Sequence, residues 1–157
     1  SGGWTVTANS VSPAANVDFG KMTAGTPGTA YYATIGTASS GTGKIIARAA
    51  LGTLVGAFSG KASNDTVTAP GSSLAVNDLV TVQPTPGQAL PTGLTAGGIY
   101  YVKTASGTDI TLSATAGGTT IDLTADGAGL LIKIVTPIAY AAGVIPRLET
   151  GSALTLL

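Results

Sequence analysis

Between Asp65 and Val135 the chain repeats one pattern: four to seven residues of alternating or β-branched character, then a turn built on Gly, Asp or Pro. Residues 66–69, 79–82, 99–104, 109–114, 119–124 and 130–135 all fit it. Alternation at every second position puts one set of side chains on one face, which is the period of a strand. Many short strands joined by tight turns predict a mainly β protein, a small antiparallel barrel or sandwich. Within the run, 99–104 pairs with 109–114 through a four-residue loop, Ala105-Ser106-Gly107-Thr108. In 119–124, Ile121 and Leu123 share a face. In 130–135, Leu130, Ile132 and Ile134 face one way and Lys133 the other.

The flanks are less regular. Residues 1–15 form a small, polar arm whose only large side chain is Trp4, suited to anchoring in a neighbour or to joining the domain's own core. Val17, Phe19, Tyr31, Ala33 and Ile35 give short period-two patches, and Thr26-Pro27-Gly28 reads as a turn. In 44–55 the spacing of Ile45, Ile46, Ala49, Ala50 and Leu54 suits a short helix. Gly52 and Gly56 weaken that reading, and a strand is the alternative. Beyond Pro137 the rhythm stops, and the chain ends on Leu154, Leu156 and Leu157, an apolar terminus that needs cover. A closing strand returning to the first domain provides it. The expected organisation is therefore an N-terminal arm (1–15), a β domain (16–63 with 136–157) and an inserted second β module (64–135), with extended termini.

The side-chain inventory excludes most chemistry. The 157 residues contain no His and no Cys, with seven acids and seven bases. The commonest general base, the commonest metal ligand and the thiol nucleophile are absent. A Ser nucleophile would need Lys as its base, and no S-x-x-K occurs. Residues 38–45 echo a phosphate-binding loop but carry Ala38 where Gly is needed and Ile45 where Ser or Thr is needed. Asp122 and Asp126 stand four apart, with Asp109 close if the sheet pairs as expected. A glycosidase needs two carboxylates facing across a cleft, and these Asp residues read better as turn formers bonding backbone N–H groups two residues on. No calcium-loop pattern exists. The expectation is a non-enzyme with no cofactor and no metal.

Charged residues make up 9% of the chain, against about 25% in ordinary domains. That supplies no basic stripe for nucleic acid, and no apolar run approaches the ~18 residues of a membrane span. The first residues show no basic and apolar leader pattern, so synthesis in a cytoplasm is expected. Zero net charge with a mean hydropathy of +0.42 favours self-association. In each of the pairs Tyr31-Tyr32 and Tyr100-Tyr101 one ring should point inward and one outward, and an outward Tyr suits an interface. Trp4, Phe19, Tyr32, Tyr100, Leu154, Leu156 and Leu157 are the expected contact residues.

Several segments also carry a resemblance. They are 73–80 (SLAVNDLV), 90–97 (LPTGLTAG), Tyr100-Tyr101-Val102, 112–118 (LSATAGG) and Ile121-Asp122-Leu123. They lie in order within the segment of about 70 residues from Asp65 to Val135, and they resemble a β module of tailed-bacteriophage virion proteins. Residues 16–25 (NVDFGKMTAG), leading to Tyr31-Tyr32, are similar to the opening of phage capsid decoration (cement) proteins. The resemblance implies a head protein that binds the outer surface of the major capsid protein lattice and stabilises the capsid. It further implies a homotrimer on the virion exterior, made in the host bacterial cytoplasm. A phage tail component and a carbohydrate- or cell-surface-binding module are the alternatives.

Overall fold

The computed structural model describes residues 3–8, 10–37, 42–135 and 137–155, and of Ile46, Leu154 and Thr155 the backbone alone. Every regular element among them is a strand, so the mainly β class expected is the one found. The chain divides into two compact units: a flanking unit of Ser1–Ala49 with Pro137–Leu157, and a central unit of Ala50–Thr136.

Six strands of the flanking unit precede the central one: β1 (Trp4–Thr7), β2 (Ser10–Pro13), β3 (Val17–Asp18), β4 (Gly28–Ala30), β5 (Tyr32–Gly36) and β6 (Ile45–Ala50). The central unit supplies β7 (Gly52–Lys61), β8 (Thr66–Thr68), β9 (Leu79–Gln83), β10 (Ile99–Ser106), β11 (Asp109–Ser113) and β12 (Gly127–Ile134). β13 (Ile138–Tyr140), β14 (Arg147–Leu148) and β15 (Leu154–Thr155) follow in the flanking unit.

In the central unit the ladder runs β10-β11-β8-β7-β12-β9 and returns to β10, a closed antiparallel barrel. Closure removes the bare edges an open sheet would present. Val67, Val80, Val82, Tyr100, Val102, Ile110, Leu112 and Leu131 fill the interior, with Phe58, Ala69, Leu94 and Leu123 packed on them. On β10 and β11 burial alternates as the sequence does: Tyr100 and Val102 on one, Ile110 and Leu112 on the other. The turn between them is tighter than expected. Ser106 pairs with Asp109, leaving a two-residue turn, and Gly107 takes the positive φ of 62° that its first position requires.

Four other expectations give way. Residues 44–55 form no helix: β6 and β7 run through them, because Gly52 and Gly56 suit a bent strand better than a helix. Gly56 has a φ of 142°, and Val55 falls outside the pairing, since Leu131 faces Gly56 and Ile132 faces Leu54. That bulge marks the place where alternation on β12 breaks. Leu131 and Ile134 are buried, whereas Leu130 and Ile132 are half-buried, so the expected inward set of 130, 132 and 134 is out of phase up to the bulge. Residues 119–124 make no ladder strand. They cross as an irregular segment with single bridges, Thr120 to Ser113 and Ala125 to Thr92. Finally, β7 belongs to the barrel, so the central unit begins at Ala50 and not at the expected residue 64.

A strap closes one side of the barrel. Ala89, Leu90 and Pro91 lie so near β12 that a Cβ on Gly127 would sit 2.4 Å from the Pro91 nitrogen. One on Gly129 would sit 2.5 Å from the Gln83 carbonyl oxygen and 2.7 Å from Leu90. Pro91 is fully buried as a result, and Ala128 N–H donates to the Ala89 carbonyl at 2.9 Å. The chain enters and leaves the barrel at adjacent points, for Val135 N–H donates to the Leu51 carbonyl.

The flanking unit is built differently. Its strands form four small sheets: β1-β2-β15, β13-β4, β14-β3 and β5-β6. All thirteen buried hydrophobic residues among those described lie in the central unit. Among the described flanking residues only Pro13, outside that set, is a buried apolar one, so these segments hold strand pairs without the apolar interior expected of a second β domain.

Candidate functional site

Five of the acids, Asp18, Asp65, Asp78, Asp109 and Asp126, are structural fasteners, and each reaches farther than the local turns expected. Asp65 Oδ1 accepts from Leu123 N–H at 2.8 Å, and Asp126 Oδ1 accepts from Ala62 N–H at 2.8 Å. The two bonds run in opposite directions between the β7–β8 turn and the segment 123–126, a reciprocal clasp across some sixty residues of sequence. Asp109 Oδ1 accepts from the Thr68 hydroxyl at 2.6 Å, between strands β11 and β8. Asp78 Oδ2 accepts from Ala75 N–H at 2.8 Å and from Lys133 Nζ at 2.6 Å. Burial pushes the Asp78 carboxyl up, but the Ala75 N–H and the Lys133 ammonium together hold it below the ordinary carboxylate value. In the flanking unit Arg147 grips Asp18 with two guanidinium nitrogens across the β14–β3 pair, and this bond lowers the Asp18 pKa. Among the described residues no three acids gather as a metal site would need.

A shallow recess of about 200 Å³ lies beside the Lys133–Asp78 pair, lined by Thr53, Leu54, Val55, residues 71–74 and Lys133. The Ser72 hydroxyl is buried there. No sequence pattern could have indicated it, since its residues come from three distant segments.

The flanking unit offers a surface of another kind. Seven of the ten exposed large hydrophobic residues described belong to it: Trp4, Val6, Phe19, Ile45, Tyr140, Val144 and Ile145. Val6 and Ile45 are 68% and 70% exposed, values unusual for aliphatic side chains on strands. The unit is also the basic part of a neutral chain. Lys21, Lys44, Arg48 and Arg147 stand against Asp18 and Glu149, a formal +2, and the central unit carries the balancing −2.

The expected contact residues separate into four groups. Trp4 on β1 and Phe19 just after β3 are exposed, with Phe19 N–H held by the Pro146 carbonyl. Tyr32 on β5 is half-buried under the Arg48 guanidinium, 3.9 Å from its ring centre. Tyr100, by contrast, is buried in the barrel and its hydroxyl accepts from Thr95 N–H at 2.7 Å. Tyr101 is the half-buried ring of that pair. Tyr100 is the inward member because its position shares the phase of Val102, and it is not available as a contact. The Leu154 side chain, Leu156 and Leu157 lie outside the described residues. Phe58, Tyr100 and Tyr101 are the central unit's aromatics, and none of them is exposed.

No protein-family model, no curated protein and no solved structure matches the chain.

Proposed function

We propose that this chain is a phage head decoration protein: a non-enzymatic cement that binds the outer surface of the major capsid protein lattice and stabilises the shell. One observation carries the reading. The flanking unit has strands and exposed apolar side chains, but among its described residues Pro13 alone is a buried apolar one, so the interior it lacks is to be supplied by neighbours. Fully burying a large aliphatic or aromatic side chain contributes about 1.5–3 kcal/mol. With Trp4, Val6, Phe19 and Ile45 on offer, a repeated lattice site is held by several such terms, and multivalent copies add avidity. The resemblance adds the target, the capsid exterior, and the trimeric state.

The central unit fits a rigid self-contained body in this scheme. A carbohydrate-binding role for it would call for exposed rings against which sugars stack, and its three aromatics are buried or half-buried. Gold-labelled antibody against the chain, imaged on purified virions, tests the reading. Even label over the heads is the expected result. Label confined to tails replaces it with the tail-component reading, and virions without label overturn it in favour of a surface-binding module.

A further inference from the structure

Among the described residues the sheet β1-β2-β15 has two open edges, and its hydrogen-bond alternation fixes what each presents. Ala14 N–H donates to the Gly3 carbonyl, so Gly3–Ala14 is a hydrogen-bonded pair of the β1–β2 ladder. Pairs alternate in an antiparallel ladder, so Trp4–Pro13 and Val6–Val11 are non-bonded pairs. Pro13, which has no N–H, sits where none is needed. Trp4 and Val6 consequently turn their N–H and C=O groups away from β2, towards the open edge. By the same alternation, Val11 points its groups at Leu154, and Thr155 presents its own on the far edge.

Among the described residues nothing guards either edge. Folded monomers blunt such edges with Lys, Pro, inward charges or cover. Residues 3–13 and 150–157 contain no charged residue, and neither β1 nor β15 contains Pro. Every residue of β1 is exposed, Trp4 at 47% and Val6 at 68%. We infer that copies of this chain join through these edges, β1 of one copy adding to β15 of the next, so that the three-stranded sheet continues between subunits. Pairing β1 with β1 across a two-fold axis would leave the β15 edge bare on both copies. Joining unlike edges uses both, and a ring that closes leaves none. The occupant is therefore a second copy. This rests on the self-association in the reading above and not on capsid binding.

Light scattering on the purified full chain, at micromolar concentration after size exclusion, reads the result. The wild-type chain should run as a discrete multiple of 15.2 kDa. Val6→Pro removes an N–H that faces the open edge and no bond of the β1–β2 ladder, and Val6→Lys puts a charge on that edge. Both should drop to the monomer mass with an unchanged β-sheet circular dichroism spectrum. A monomeric wild type overturns the inference, and so does a Val6→Lys chain that keeps the wild-type mass, whatever Val6→Pro does. Wild-type oligomers that label no capsid would overturn the decoration reading and leave this inference standing.

Discussion

At the scale of single residues, Asp65, Asp78 and Asp126 fasten backbone N–H groups of this chain. Asp65→Ala strips the partly buried Leu123 N–H of its acceptor and should cost about 1–3 kcal/mol. Asp126→Ala frees the exposed Ala62 N–H, which water can satisfy, so about 0.5–1.5 kcal/mol is expected. Both bonds pin the same two segments, so urea unfolding of the single and double variants should show non-additive losses. Asp78 gives the pH dependence. Its carboxyl is lowered in the folded chain, so the stabilisation it contributes is complete above the ordinary carboxylate pKa of about 3.9 and is lost as pH falls through its lowered value. Lys133→Met removes one of the two groups that lower it. The Asp78 carboxyl shift, followed by NMR, should then titrate at higher pH than in the parent. These roles were only half legible beforehand. An Asp near a Gly looks like a local turn former, and nothing in the sequence reveals that its acceptor oxygen serves an N–H some sixty residues away.

Elements were legible wherever alternation was clean. β8 to β11 lie within two residues of where the period-two pattern put them, because Val, Ile, Leu and Tyr recur at every second position there. β7 was hidden by its small residues: Gly52, Gly56, Ala57 and Gly60 carry little hydrophobic signal, and Ile45 to Leu54 mimic helical spacing. The structure explains the small residues. A Cβ on Gly60 would lie 2.4 Å from the Pro91 ring, so the strap requires bare backbone beneath it. The same crowding governs Gly129 on β12. Gly129→Ala should destabilise the barrel by about 1–3 kcal/mol or more, since the new methyl meets the Gln83 carbonyl as well as side chains. Gly107→Ala meets no atom within 4 Å and should cost only the left-handed strain, about 1–2 kcal/mol. Thermal melts of the two variants distinguish crowding from strain: enlarging Gly107 further, to Asn, should recover stability, whereas Gly129→Ser should not.

For the whole molecule, the division of labour follows from where the core lies. Sequence rhythm separated a regular middle from irregular flanks, but it could not show that the described flanking residues bury little beyond Pro13, because Trp4, Phe19 and Tyr140 look equally suited to a core or to a surface. The barrel holds its own core and has adjacent ends, whereas under the proposed function the flanking unit depends on what it touches. Residues 50–136 alone should therefore unfold cooperatively, with a transition close to that of the barrel in the full chain, as calorimetry would register. The central claim is that the flanking unit acquires its interior from the assembly. Hydrogen exchange on the full chain, free at high dilution and again on intact heads, tests it most directly. Fast exchange is expected along β1–β6 and β13–β15 in the free chain, slowed by orders of magnitude on the head, with Val67, Val80, Val102 and Leu131 protected equally in both. Strong protection of the flanking strands in the dilute free chain, or new protection confined to the barrel, would contradict it.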